Sequence, residues 1–132
     1  MFLLEEHLKE CGFEKYFKKL VKKLKGKTVV VYGTGMLFEL VNDNYDLSQI
    51  NIVGVSDIKY LSSQEGKLDF GYKIIPLSIL EKCDADVILL GVQNYDSIKE
   101  EFEEDYFVDK PTKIIPLVKI PLFKRIKDFI FD

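Results

Sequence analysis

Thr28-Val29-Val30-Val31-Tyr32-Gly33-Thr34-Gly35 decides the fold of this chain. The run from Thr28 to Tyr32 is β-branched and aromatic with no polar alternation, so it reads as a strand covered on both faces. That is the situation of a parallel sheet packed between helices. Gly33-Thr34-Gly35 then turns the chain, and Met36-Leu37-Phe38-Glu39-Leu40-Val41 reads as a short helix. After a polar turn at 42–46, Ile50-Asn51-Ile52-Val53-Gly54-Val55 is a second buried strand, closing at Ser56-Asp57. Strand, crossover and strand in this order make a βαβ unit.

Upstream, residues 2 to about 25 carry a helical period: Leu4, Leu8 and Cys11 share one stripe, continued by Phe13, Phe17, Leu20, Val21 and Leu24. Gly12 breaks or bends this helix and Gly26 ends it. Lys15, Lys18, Lys19, Lys22, Lys23 and Lys25 lie on its other face. Such a face is ordinarily solvated over a packed stripe; the sharper alternative is contact with a membrane surface or an acidic partner. Downstream, 58–72 is a polar loop or small excursion, Tyr72-Lys73-Ile74-Ile75 a short strand, and Pro76 starts a brief helix. Asp86-Val87-Ile88-Leu89-Leu90 is the third long apolar strand, residues 95–106 an acidic helix, and Lys113-Ile114-Ile115-Pro116-Leu117 the last strand. Helical spacing returns at 122–130, after Pro121.

Alternating strands and helices predict an α/β fold, a Rossmann-like doubly wound, mostly parallel sheet of about five strands with an N-terminal amphipathic helix. The expected strand order is 3-2-1-4-5, with ligands at the carboxyl ends where the order reverses. One globular unit is expected, divided into an N-terminal helical segment (1–26), the Rossmann-like domain (27–118) and a C-terminal amphipathic helix (119–132). Lys-Ile-Ile-Pro-Leu occurs at 73 and 113 and Asn-Tyr-Asp at 44 and 94, at different intervals, so neither marks an internal repeat.

Composition narrows the chemistry. The chain has 132 residues, and its hydrophobic share of 47% is enough for a packed core. A formal charge of −3 supplies no general attraction to nucleic acid, and no nucleic-acid partner is expected. Cys11 and Cys83 have no metal or redox spacing. No apolar run approaches the roughly 18 residues of a membrane span, and acids at Glu5 and Glu6 do not fit a secretory leader, so a cytoplasmic location is expected. The single histidine, His7, precedes every strand, which argues against Ser-His-Asp or Cys-His catalysis and against a histidine metal site.

The candidate site is the turn after the first strand. Glycines let the backbone approach a phosphate, and the following helix offers free N–H groups and a positive dipole end. Gly33 and Gly35 fill that role, with the Thr34 hydroxyl between them. Asp57 ends the second strand about 20 residues on, where dinucleotide folds place an acid for ribose hydroxyls. Lys59 offers a charge for a phosphate, and otherwise is a solvated surface lysine. Gly91 ends another strand at the same edge, and beyond it Asn94 and Tyr95 offer a hydrogen bond and a stacking ring; the plainer role there is helix capping by Asn94 or Asp96. The third fingerprint glycine is replaced by Phe38, which is expected to push the helix outward or tilt it. The plainer role for Gly33 and Gly35 is a tight βα turn without a ligand. No residue qualifies as catalytic, and no metal site is expected.

Val-Val-Val-Tyr-Gly-Thr-Gly, Asn-Ile-Val-Gly-Val-Ser-Asp, Gly-Tyr-Lys-Ile-Ile-Pro and Asp-Val-Ile-Leu-Leu-Gly together resemble the Rossmann-like nucleotide-sugar-binding domains of bacterial surface-polysaccharide enzymes, above all the N-terminal domains of sugar O-acyltransferases. The resemblance spans roughly 27–118 and implies a UDP-sugar ligand contacted by Gly33, Thr34, Gly35 and Asp57. The acyltransferases follow their turn with a further glycine and a histidine, where this chain has Met36-Leu37-Phe38, and their hexapeptide-repeat catalytic domain has no counterpart in this sequence. The leading expectation is a nucleotide or nucleotide-sugar binding domain, either free-standing or part of a larger enzyme. The alternatives are a small NAD(P)-dependent oxidoreductase using Tyr32 or Tyr95 as proton donor, and an interaction module with a vestigial pocket. In the last, the lysine face would pair copies of the chain through the acids Glu100, Glu101, Glu103, Glu104 and Asp105 as a homo-oligomer.

Overall fold

The computed structural model describes residues 8, 9 and 12–119. Most of the predicted stripe before Gly12, with His7 and Cys11, and the predicted C-terminal helix beyond Lys119 lie outside the described residues.

Four strands form the main sheet: β1 (Val29–Tyr32), β2 (Ile52–Ser56), β5 (Val87–Leu90) and β6 (Lys113–Pro116). Their order is β2-β1-β5-β6, and every pairing is parallel. The two central strands, β1 and β5, are buried at every residue, as their unbroken apolar runs require. Val29 and Val31 face one core with Leu89, while Val30 and Tyr32 face the other with Ile88 and Leu90. The edge strand β2 slips register opposite Val29 and Val30, which leaves Val53 turned out to solvent.

Helix α1 (Phe13–Lys23) follows Gly12 and lays Phe13, Phe17 and Leu20 on the first core. All six lysines predicted for its outer face are exposed. Helix α2 (Met36–Asn44) packs on the same side through Leu37, Phe38 and Val41. Helix α3 (Leu77–Leu80) and helix α4 (Tyr95–Glu101) cover the opposite side with Leu80 and Tyr95. Helices therefore lie on both faces, and the fold is doubly wound.

Two expectations need correction. The short strand predicted at 72–75 does lie beside β2, but joins the sheet only at Ile74, which bridges Val55. Just before it, β4 (Tyr72–Lys73) pairs antiparallel with β3 (Leu68–Asp69) in a separate hairpin. Pro76 supplies no N–H, so the parallel pairing stops almost as it starts. The order 3-2-1-4-5 survives in outline, with four strands rather than five in the sheet among the described residues. The helix predicted at 95–106 stops at Glu101, and Phe102–Tyr106 winds as a π-helical turn closed by the Phe107 amide on the Phe102 carbonyl at 2.7 Å. Five-residue closure carries both Phe102 and Phe107 into the second core.

Candidate functional site

The chain leaves β1 toward one face through α2 and leaves β5 toward the other through α4. These strands are neighbours, so the point where the winding reverses lies between their carboxyl ends, at Gly33 and Gly91. The two glycines serve each other's approach. A Cβ at Gly91 would lie 2.5 Å from the Gly33 carbonyl oxygen, and one at Gly33 would lie 2.5 Å from Val92 Cγ1. Gly33 also holds φ of +99°, a conformation that side chains resist. Its amide donates to the Ser56 carbonyl at 2.8 Å, tying the turn to β2.

Gly35 differs from both. Its φ is −86°, and among the described residues a Cβ there would meet nothing within 4 Å. It stands at the start of α2 with no side-chain cap, and the first bond of the helix, from the Glu39 amide to the Gly35 carbonyl, is 3.0 Å. The amides of Met36, Leu37 and Phe38 lie ahead of that bond, at the positive end of the helix dipole.

Residues 57 to 60 clamp the middle of the turn. Asp57 accepts the Thr34 amide at 2.8 Å on Oδ2 and the Lys59 amide at 3.0 Å on Oδ1. The Lys59 ammonium donates to the Thr34 carbonyl at 2.8 Å and lies 5.5 Å from the centre of the Tyr60 ring. The Thr34 hydroxyl is 2.6 Å from the Tyr60 hydroxyl, which donates to Asp69 Oδ2 at 2.6 Å. Burial, reinforced by the bond to Asp69, raises the pKa of Tyr60 far above the ordinary phenol range, so it holds its proton across the working pH range.

The structure thus brings Gly33, Thr34, Gly35, Asp57, Lys59 and Gly91 to one edge. Thr34 is buried, with its hydroxyl turned to Tyr60 rather than to solvent. Asp57 holds the turn, and each of its oxygens already takes one amide. Asn94 is exposed just before α4 and its side chain makes no cap bond, while Tyr95 is buried in the second core, away from any stacking role at the surface. Tyr60 and Asp69 were not visible in the sequence as site residues; an aromatic at 60 close behind Asp57 was the available signal. Ser56 was also missed: its hydroxyl is fully buried at the end of β2 with no partner among the described residues.

Phe38, where the fingerprint has a glycine, packs inward on the first core. It is fully buried, its Cβ lies 3.4 Å from where a Cβ of Gly91 would stand, and the Phe70 ring packs edge-on against it at 5.1 Å. A groove of about 530 Å³ opens elsewhere, between α1 and the far end of α2, over Leu8, Phe17, Leu40 and Tyr45. Among the described residues, no group of three or more acidic, cysteine or histidine side chains is placed to hold a metal ion, and no helix is long and apolar enough to cross a membrane.

A parallel sheet wound on both faces, with glycine turns at its switch point, defines a Rossmann-like α/β domain. No protein-family model matches the chain, and no curated protein matches it. Among solved structures it is similar to RSP in complex with beta-NAD+ and operator DNA, at 13% identity over 89% of this chain and 63% of that one, with a TM-score of 0.49. It is similar also to RSP in complex with beta-NADH, at 15% identity over 89% of this chain and 66% of that one, with a TM-score of 0.46. The chain therefore spans a little under two thirds of the length of the solved chains it matches. At such distances the fold assignment rests on the strand order itself.

Proposed function

We propose that this domain binds a nucleotide at the carboxyl edge of its sheet, with the phosphates seated over Gly35 and the first turn of α2. The observation that carries the reading is the open space at Gly35. Neither its φ nor any packing among the described residues asks for glycine there. A ligand that must come close to the backbone does ask for it. The uncapped amides of α2 and the Lys59 ammonium are hydrogen-bond donors of the kind a diphosphate takes. Asp57, between them, is a carboxylate with a remaining lone pair on each oxygen for a sugar hydroxyl.

The finer reading is a nucleotide-sugar of bacterial surface-polysaccharide metabolism. Its support is the resemblance of the four quoted segments to nucleotide-sugar-binding domains. In this role the chain binds and presents the ligand, and another domain or protein supplies the reaction. An NAD(P)-dependent oxidoreductase is less well supported, because its candidate proton donors are withdrawn: Tyr32 and Tyr95 are 8% and 6% exposed. Burial, with the Asp57 and Glu101 carboxylates, raises the Tyr32 pKa, so its proton is held more tightly than in a free phenol.

Titration calorimetry with UDP, a UDP-sugar and NADH tests the reading. Tighter binding of the UDP-sugar than of UDP supports the sugar assignment, and binding of NADH alone replaces it with the dinucleotide. Asp57→Ala is a poor probe, since it also frees the Thr34 amide. Gly35→Asp is the informative variant, because its carboxylate occupies the proposed phosphate seat at the start of α2 and its Cβ meets nothing among the described residues.

A further inference from the structure

The hairpin of β3 and β4 looks like a surface excursion, yet it reaches both ends of the proposed phosphate seat. We propose that Tyr60, braced by Asp69 of that hairpin, is a positioning residue that holds the Gly33-Thr34-Gly35 turn in its ligand-ready form. The proposal rests on the nucleotide reading above for what the turn receives, and on the geometry alone for what holds it.

Thr34 has three polar groups, and residues 57–60 hold all of them. The amide goes to Asp57 and the carbonyl to Lys59, in bonds that are only part-buried. The hydroxyl goes to Tyr60 in a fully buried bond. The proton positions follow from chemistry. Tyr60 has one proton and gives it to the Asp69 carboxylate, so its oxygen must accept from the Thr34 hydroxyl. This chain, Thr34 to Tyr60 to Asp69, fixes the rotamer of Thr34 and ties the turn to β3. Behind it, Phe70 at the hairpin tip packs on Phe38 in the first turn of α2. The hairpin thus braces the turn on one side and the helix start on the other. Of the three bonds on Thr34, the buried one is least weakened by salt and competing water.

The test compares Tyr60→Phe, Thr34→Val, Thr34→Ser and the double variant Thr34→Val with Tyr60→Phe in the whole chain. Amide hydrogen exchange reads the turn without ligand, and calorimetry with UDP and NADH reads the site. Tyr60→Phe and Thr34→Val are each expected to speed exchange at the Thr34 amide by about tenfold or more, with Val30 and Val31 in β1 unchanged. Thr34→Ser keeps the donor and is expected to exchange like the wild type. The double variant is expected to be no faster than either single one, because both remove the same bond. The Kd of whichever probe binds is expected to rise about tenfold in Tyr60→Phe. Exchange at Thr34 that is unchanged, or raised equally along β1, overturns the positioning role, as does undiminished binding in Tyr60→Phe. A wild type that binds neither probe, while Tyr60→Phe still frees the turn, overturns the nucleotide reading and leaves the brace standing.

Discussion

At the scale of single residues, three glycines at one edge have three different reasons to be glycine. Gly33 holds a positive φ, Gly91 leaves room for the Gly33 carbonyl, and Gly35 leaves room for nothing among the described residues. Substitution should separate them. Gly91→Ala drives a methyl group to 2.5 Å from a backbone oxygen that cannot swing aside. It is expected to lower stability by about 1–3 kcal/mol, read from a urea melt. Gly35→Asp places a capping carboxylate at the start of α2 and is expected to raise stability by roughly 0.5 kcal/mol. The glycine turn and Asp57 were legible in the sequence because strand, turn, helix and acid follow one another along the chain. The work of Asp57 was not, because its partners at 34 and 59 become neighbours only once β1 and β2 are paired. Tyr60 was hidden for the same reason: its two partners, at 34 and 69, meet it only after the hairpin folds back.

At the scale of elements, buried strands were the easiest to read and marginal ones the hardest. The apolar runs in β1 and β5 have no polar position for solvent, so their place in the middle of a parallel sheet follows from composition alone. The segment at 72–75 offered the same residue types, but a hairpin turn on one side and Pro76 on the other leave only Ile74 to pair with β2. The π-helical turn at Phe102–Tyr106 could not be read either, since a helical period and a five-residue closure place Phe102 on the same face. Phe38 carries the sharpest expectation at this scale. By fingerprint, Phe38→Gly restores a dinucleotide-binding helix; by structure, it removes a fully buried ring from between α2, Gly91 and Phe70. The variant is expected to lose at least about 3–5 kcal/mol in denaturant unfolding and to gain no affinity.

At the scale of the whole molecule, α1 is joined to the sheet by more than its apolar stripe. The Tyr16 hydroxyl donates to the Pro116 carbonyl at 2.6 Å, linking the first described helix to the last strand. Burial, with a smaller contribution from Tyr95, pushes the Tyr16 pKa up to about 12 from an ordinary 10.0. The folded state therefore keeps this proton after the unfolded chain has begun to lose it. Its contribution to stability is intact below about pH 10 and is lost as pH climbs through about 12. Tyr16→Phe is expected to flatten that part of a plot of melting temperature against pH. A slope unchanged by the substitution would mean that the helix is not held by this contact. The doubly wound architecture itself was legible, because strands this few cannot close a barrel and need the helices between them to cover both faces of an open sheet. The central claim is that the edge between β1 and α2 is a nucleotide seat. The most direct measurement is a thermal-shift comparison of the wild type and Gly35→Asp against UDP, UDP-sugars, CDP-sugars, NAD(H) and NADP(H). A ligand at about 100 times its Kd should stabilise the wild type by around 2.7 kcal/mol, a rise of several degrees. The account expects that rise in the wild type with at least one nucleotide, and its loss in a Gly35→Asp protein that melts no lower on its own. An equal rise in both proteins, or none in the wild type with any of them, would contradict it.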